Sequence, residues 1–258
     1  MKHDDEWKVL RARTVHERAK LAAASGRWSR LILSPAHVLE LLDRYPALYR
    51  EAWVASNKAS TFAWDGFTVG DGWFRILDTL SAKLAKDKAL YVVQVKEKWG
   101  KLAVHCERDE GARVDRRLDA RLNIALNKAR DRSTRTCEIC GRPGTCDERA
   151  AWVTVRCGRC FQLDEIAGAC RRIADRTKGL DFAAFSADKN AQEAVRLALL
   201  NIGRASLGQS PRSRARLPDI DWKNLCRFKD VADGMRMATE QLWEFATKDA
   251  PELEKKLR

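Results

Sequence analysis

The chain has 258 residues, 45% of them hydrophobic, which suits one or two domains with substantial cores. Its 49 Lys+Arg against 36 Asp+Glu leave a net charge of +13, which favours phosphate backbones or acidic protein surfaces as partners. No apolar run approaches 18 residues, and the charged start Met1-Lys-His-Asp-Asp-Glu-Trp7 lacks a signal-peptide core. A cytoplasmic protein with reduced cysteines and no membrane contact is expected.

Residues 1–33 read as a basic helical arm and a loop, with Val9, Leu10 and Leu21 as sparse apolar positions. Residues 34–136 read as an α+β domain. A short helix over 35–50 starts at Pro35 behind Ser34 and closes at Tyr45-Pro46. His37, in its first turn, reads as a surface or partly packed imidazole rather than a ligand. Residues 61–73 form a Gly- and aromatic-rich loop, with Asp71 as N-cap of the next helix. Trp73, Ile76, Leu77, Leu80 and Leu84 recur at helical spacing and predict one buried face. Gly70 and Gly72 make no phosphate loop, because no Gly-Lys-Ser/Thr follows.

Leu90-Tyr-Val-Val-Gln-Val95 and Leu102-Ala-Val-His-Cys106 read as the strands of a β-hairpin turning over 96–101. His105 is expected as a packed strand histidine. An Arg-rich helix over 113–130 places Val114, Leu118, Leu122 and Leu126 on one face. It runs into Lys128-Ala-Arg-Asp-Arg-Ser-Thr-Arg135. There Lys128, Arg130, Arg132 and Arg135 are candidate contacts for RNA or DNA, or equally a solvated helix end.

Four cysteines follow in two pairs, Cys137-Glu-Ile-Cys140 and Cys157-Gly-Arg-Cys160. Each pair lets two thiolates from one tight turn reach the same ion, and the gap admits a short returning hairpin. Gly141, Pro143 and Gly144 supply turn residues, and Trp152-Val-Thr-Val155 a β-rich run. Residues 137–162 thus read as a zinc ribbon binding one structural Zn2+ per chain through Cys137, Cys140, Cys157 and Cys160. A redox pair or disulfides are the alternatives. Four thiolates leave no open position, so the metal is a fold clamp and not a catalyst. Cys146 lies inside the loop as a competing ligand, whereas Cys106, Cys170 and Cys226 read as buried thiols.

Residues 163–258 read as an all-α antiparallel bundle. Its helices are expected over 163–177, over 182–205 behind an Asp181 cap, from Asp219-Ile-Asp-Trp222, and over 235–257. A basic, Pro-bearing loop at 209–218 separates the second from the third.

The strings Ala174-Asp-Arg-Thr-Lys-Gly-Leu-Asp-Phe-Ala-Ala-Phe185, Ala187-Asp-Lys-Asn-Ala-Gln-Glu-Ala-Val195, Asn201-Ile-Gly-Arg-Ala205, Leu217-Pro-Asp-Ile-Asp-Trp-Lys-Asn224 and Leu242-Trp-Glu-Phe-Ala-Thr-Lys-Asp-Ala-Pro-Glu-Leu253 occur in order. Together they resemble the HepT-like branch of the HEPN family, the toxin half of a nucleotidyltransferase toxin–antitoxin pair. The resemblance covers residues 165–258. It implies a dimerising helical bundle, with itself or with another HEPN protein, in which active relatives cut RNA with paired Arg and His. Registered on Trp222, the family's Arg falls at Lys229, its Asn at Asp230, its His at Gly234 and the following Tyr at Arg236, while Arg204 replaces a usual Glu. Residues 34–165 resemble a family of small bacterial and phage proteins of unassigned function. Asp43-Arg-Tyr-Pro-Ala-Leu-Tyr49, Gly70-Asp-Gly-Trp-Phe74, Val93-Gln-Val-Lys-Glu-Lys-Trp-Gly-Lys-Leu102 and Arg135-Thr-Cys-Glu-Ile-Cys-Gly-Arg-Pro-Gly144 carry that likeness.

Metal-independent RNA cleavage needs groups that exchange protons near neutrality, and no histidine follows His105. A rearranged ribonuclease site has only Arg227, Lys229, Asp230 and Asp233 to draw on. The expectation is a catalytically degenerate HEPN and zinc-ribbon binding protein of a toxin–antitoxin or phage-conflict system. An endoribonuclease with a non-standard site and a nucleic-acid-binding zinc-ribbon protein are the alternatives.

Overall fold

The computed structural model describes residues 13–26, 32–54, 61–113, 115–147, 153–231 and 237–257. The expected apolar positions Val9, Leu10, Val114 and Trp152 lie outside them. The chain divides into two compact units, residues 1–157 and 158–258. The fold is mixed α+β, and among the described residues the strands lie in the first unit.

In the first unit α1 (Val15–Ser25) opens on a capping box. The Thr14 hydroxyl accepts the Glu17 N–H, and the Glu17 carboxylate accepts the Thr14 N–H. Arg18 ties α1 to the following layer by donating to the carbonyls of Ala63 and Trp64 at 3.0 and 2.9 Å. The helix α2 (Pro35–Arg44) starts on Pro35 as expected and buries Val38, Leu41 and Leu42. The stretch read as a loop instead holds α3 (Thr61–Asp65) and β1 (Phe67–Thr68). Phe62 and Phe67 are buried against Tyr49, and the three rings pack with centroids 5.0–5.6 Å apart. That aromatic cluster, not backbone propensity, orders the segment.

The helix α4 (Phe74–Leu84) buries the expected face, with Trp73, Ile76, Leu77, Leu80 and Leu84 all in the core. Asp71 does not cap it. A 3₁₀ turn, Asp71–Trp73, comes first, and the Asp71 carboxylate accepts the Ser34 N–H at 2.7 Å and faces His37 Nδ1 at 2.9 Å. The His37 ring stacks on Phe74 at 3.9 Å, so the imidazole is partly packed.

The expected hairpin is present as β2 (Leu90–Lys98) and β3 (Lys101–Arg108), with a tighter two-residue turn at Trp99-Gly100. Both turn residues have positive φ, +55° and +72°. A bulky side chain in that region costs about 1–2 kcal/mol, and Asn-Gly is the usual occupant. The sheet order is β1-β2-β3, with β1 parallel to β2 and β3 at the edge. Along β3, Leu102, Val104 and Cys106 turn to the core, so the alternate residue His105 is exposed rather than packed. The helix α5 (Arg116–Ser133), capped by the Asp115 carboxylate, packs across β3 and α4. It extends past the expected end, and the Ser133 hydroxyl accepts the Leu102 N–H at 2.8 Å.

The second unit begins with α6 (Gly158–Thr177), which starts before residue 163 and takes in Cys160. The single long helix expected over 182–205 is two, α7 (Phe182–Ala187) and α8 (Lys189–Leu207). Asp188 breaks it: its backbone leaves the helical region and its carboxylate accepts the Ala191 N–H, capping α8. The basic loop holds one helical turn, α9 (Pro211–Arg214), capped by Ser210. Asp221 caps α10 (Trp222–Arg227), which passes into a 3₁₀ turn, Phe228–Val231. The last run is α11 (Thr239–Glu244), a π-helical turn over Phe245–Asp249, and α12 (Ala250–Leu257). The expected start at Met235 lies outside the described residues. Ile166, Ile173, Phe185, Leu199, Ile202 and Leu242 form the centre of this unit's core.

At Gly203 the backbone of α8 meets that of the 3₁₀ turn. A Cβ there would stand 2.2 Å from the Lys229 nitrogen. Gly203→Ala is expected to destabilise by about 3 kcal/mol, by forcing two backbones apart. Gly168→Ala meets only the flexible ends of Arg172 and Arg171 and should gain about 0.5–1 kcal/mol. Urea melts of the two variants check this; equal midpoints would reject the close approach.

Candidate metal centre

The first knuckle is a tight turn. The Cys137 N–H donates to the Arg142 carbonyl at 2.7 Å, and its own carbonyl accepts the Gly141 N–H at 2.9 Å, with Gly141 at φ +71°. The chain then forms the expected hairpin, β4 (Thr145–Asp147) against β5 (Thr154–Arg156), which delivers the second knuckle. Cys160 stands in the first turn of α6.

These pieces bring the four sulfurs of Cys137, Cys140, Cys157 and Cys160 within 4.8 Å of one another. An ion with metal–sulfur bonds of about 2.3 Å in a tetrahedron spaces its sulfurs about 3.8 Å apart. The Cys140 and Cys157 sulfurs lie 3.5 Å apart, too far for a disulfide at about 2.05 Å. Cys137, Cys157 and Cys160 are buried and Cys140 partly so. The arrangement is a four-cysteine cluster of a size that can hold one metal ion. Cys146 is exposed and lies outside the cluster, so it does not compete as a ligand. Cys106 and Cys170 are thiols that burial pushes up to about 12, which makes them inert near neutral pH.

The knuckle is seated on the Gly70-Asp-Gly-Trp73 loop. The Gly72 N–H donates to the Glu138 carbonyl at 2.7 Å, the Gly70 N–H to its carboxylate at 3.2 Å, and the Trp73 indole to the Thr136 carbonyl at 2.8 Å. A Cβ on Gly72 would stand 2.0 Å from the Cys137 carbonyl oxygen. Glu138 is itself buried and pairs with buried Arg156 at 3.2 Å. Burial raises its carboxyl above the usual range, against the opposing pull of Arg156 and the Gly70 N–H. Neither the Glu138–Arg156 pair nor the Gly72 seat stands out in the linear sequence. The only signals were an acid between two ligands and two glycines two residues apart.

The other expected site residues lie elsewhere. Lys128, Arg130 and Arg132 are exposed on the last turns of α5, and Arg135 is exposed just beyond it. Arg227 is exposed at the end of α10. Lys229 and Asp230 pair at 3.1 Å, each about half exposed, and Asp233 lies outside the described residues. Among the described residues no helix is long and apolar enough to cross a membrane. No family model matches the chain, and no curated protein or solved structure matches it.

Replacing any one of Cys137, Cys140, Cys157 or Cys160 by Ser should abolish stoichiometric metal and lower the melting temperature, because binding and folding are coupled. Cys146→Ser should keep the metal. Metal analysis with thermal melts checks both; a Cys160→Ser protein with full metal and an unchanged melt would remove that residue from the site. In the native protein a thiol reagent should modify Cys146 well before Cys106 or Cys170.

Proposed function

We propose that the metal is zinc, one ion per chain, and that the protein works by binding rather than by catalysis. Four thiolates in a closed cluster suit a structural zinc ion, which brings no open coordination position. In this reading the helical unit is a HepT-like HEPN bundle that has lost its nuclease chemistry. The observation that carries it is the Lys229–Asp230 surface ion pair where active relatives keep Arg-Asn, in a chain with no histidine after His105. Lys229 and Arg227 can hold a phosphate, but neither exchanges protons near neutral pH. The bundle pairs with a second copy or with an intact HEPN toxin, whose composite active site it leaves incomplete. A place in a toxin–antitoxin or phage-conflict system follows from that pairing.

A second reading adds nucleic acid to the first unit. It is favoured by the exposure of Lys128, Arg130, Arg132 and Arg135 around the end of α5. Such contacts predict affinity that falls steeply with salt.

The purified protein should contain one zinc per chain, run as a dimer or with a HEPN partner, and leave RNA intact in EDTA. Light scattering, metal analysis and an RNA incubation read all three. RNA cleavage in EDTA that disappears in Lys229→Ala or Asp230→Ala would overturn the binding reading in favour of a nuclease.

A further inference from the structure

A groove of about 390 Å³ runs between the β2–β3 hairpin tip and α5. We propose that it is a binding site for a single-stranded polynucleotide, with Trp99 as the platform on which a base stacks. The ligand class rests on the nucleic-acid reading above; the place and the mode of binding are new.

Two independent observations point there. The first is charge. Lys98, Lys101 and Arg130 line the groove, no carboxylate does, and none of the three enters an ion pair among the described residues. Three arginines of this unit, by contrast, are paired: Arg44 with Glu40 and Asp78, Arg50 with Asp109, Arg108 with Asp87 and Asp119. The groove therefore presents positive charge that the fold leaves unbalanced.

The second is Trp99 itself. Its side chain is 70% exposed, the most open large apolar residue described, and its backbone sits at φ +55°. Asn would fill that turn position at less backbone cost. With most of its surface open the indole gains little from packing there, which makes a ligand contact the better explanation. The turn also fixes the backbone that carries the ring. Gly100 follows at φ +72°, its N–H donates to the Glu97 carboxylate, and a Cβ on it would meet Val153 and Val155.

The remaining lining fits the same ligand. Asn123 and Asn127, one turn apart on α5, offer amides for base edges or sugar hydroxyls, and His105 adds a ring nitrogen on the strand side. Leu80, Leu102 and Ala129 give an apolar floor. Stacking on an exposed indole needs a base free of a duplex, so a single strand is the occupant and not a double helix.

The test is fluorescence anisotropy with labelled oligo(U), oligo(dT) and a duplex of equal length, using the full chain with its metal. Trp99→Asn should make the protein more heat-stable while weakening single-strand binding about tenfold or more, the size of one lost base stack. Trp99→Phe should retain most of the affinity. Lys98→Gln with Lys101→Gln should flatten the salt dependence by more than one logarithmic unit per decade of salt. The oligo(U) and oligo(dT) arms tell RNA from DNA as the source. Unchanged affinity in Trp99→Asn, with a loss in Arg132→Gln plus Arg135→Gln, would overturn the groove and leave nucleic-acid binding standing. Absence of binding by the unaltered protein at low salt would overturn both, as would preference for the duplex for the groove alone.

Discussion

The first unit depends on one close approach, that of Gly72 to the Cys137–Glu138 backbone. Without a Cβ at residue 72 the two main chains come near enough for the Gly72 N–H to reach the Glu138 carbonyl. Three consequences follow from that single contact. The knuckle's backbone is held in the turn that aims Cys137 and Cys140 at one point. Trp73 is pinned at the base of α4 with its indole nitrogen satisfied by Thr136, which allows a large ring to be fully buried. Asp71, between the glycines, is turned outward to hold Ser34 and His37 at the start of α2. The four-cysteine cluster and the α4 core are therefore parts of one structure, coupled through the Gly72 seat.

Glu138 and Arg156 show why this seat is specific as well as tight. A carboxylate and a guanidinium taken out of water gain little net free energy from each other, and removing one leaves a buried unpaired charge costing about 3–5 kcal/mol. Here the pair crosses from the first knuckle to the end of β5, just before Cys157, so it fixes the register in which the two knuckles meet. The same carboxylate also accepts the Gly70 N–H. One side chain thus reports whether the loop, the knuckle and the returning strand are all in place. Apolar residues of equal volume would pack there with no such condition.

Much of this was legible in the chain, and the boundary is physical. The four clustered cysteines were legible because a tight turn is local: two cysteines three apart are placed side by side whatever the rest of the chain does. The α4 face and the β2–β3 strands were legible for the same reason, their periodicities being set within a few residues. Cys146 could not be set aside by spacing, since only the β4–β5 pairing turns it to solvent. The strand β1 has two residues and exists because Phe62, Phe67 and Tyr49 close an aromatic cluster over distant parts of the chain. Asp188 carries both a helix-compatible neighbourhood and a capping side chain, and tertiary packing decided for the cap. Asp71 was misread in the opposite sense: a good capping residue was drawn away by Ser34 and His37.

The hairpin tip stands apart from these cases. Elsewhere a local preference gives way because the core gains by it, as at Asp71, or because a backbone must pass close, as at Gly72. At Trp99 the local preference is for Asn or Gly, and no buried contact compensates for its violation. The ring is exposed, the adjoining cations enter no ion pair among the described residues, and the turn is braced from below by Gly100 against the β4–β5 hairpin. The β4–β5 hairpin therefore does more than bring the four cysteines together. By supporting the turn, it keeps a strained, exposed indole beside the α5 groove, so the four-cysteine cluster and the positive groove are linked through Gly100.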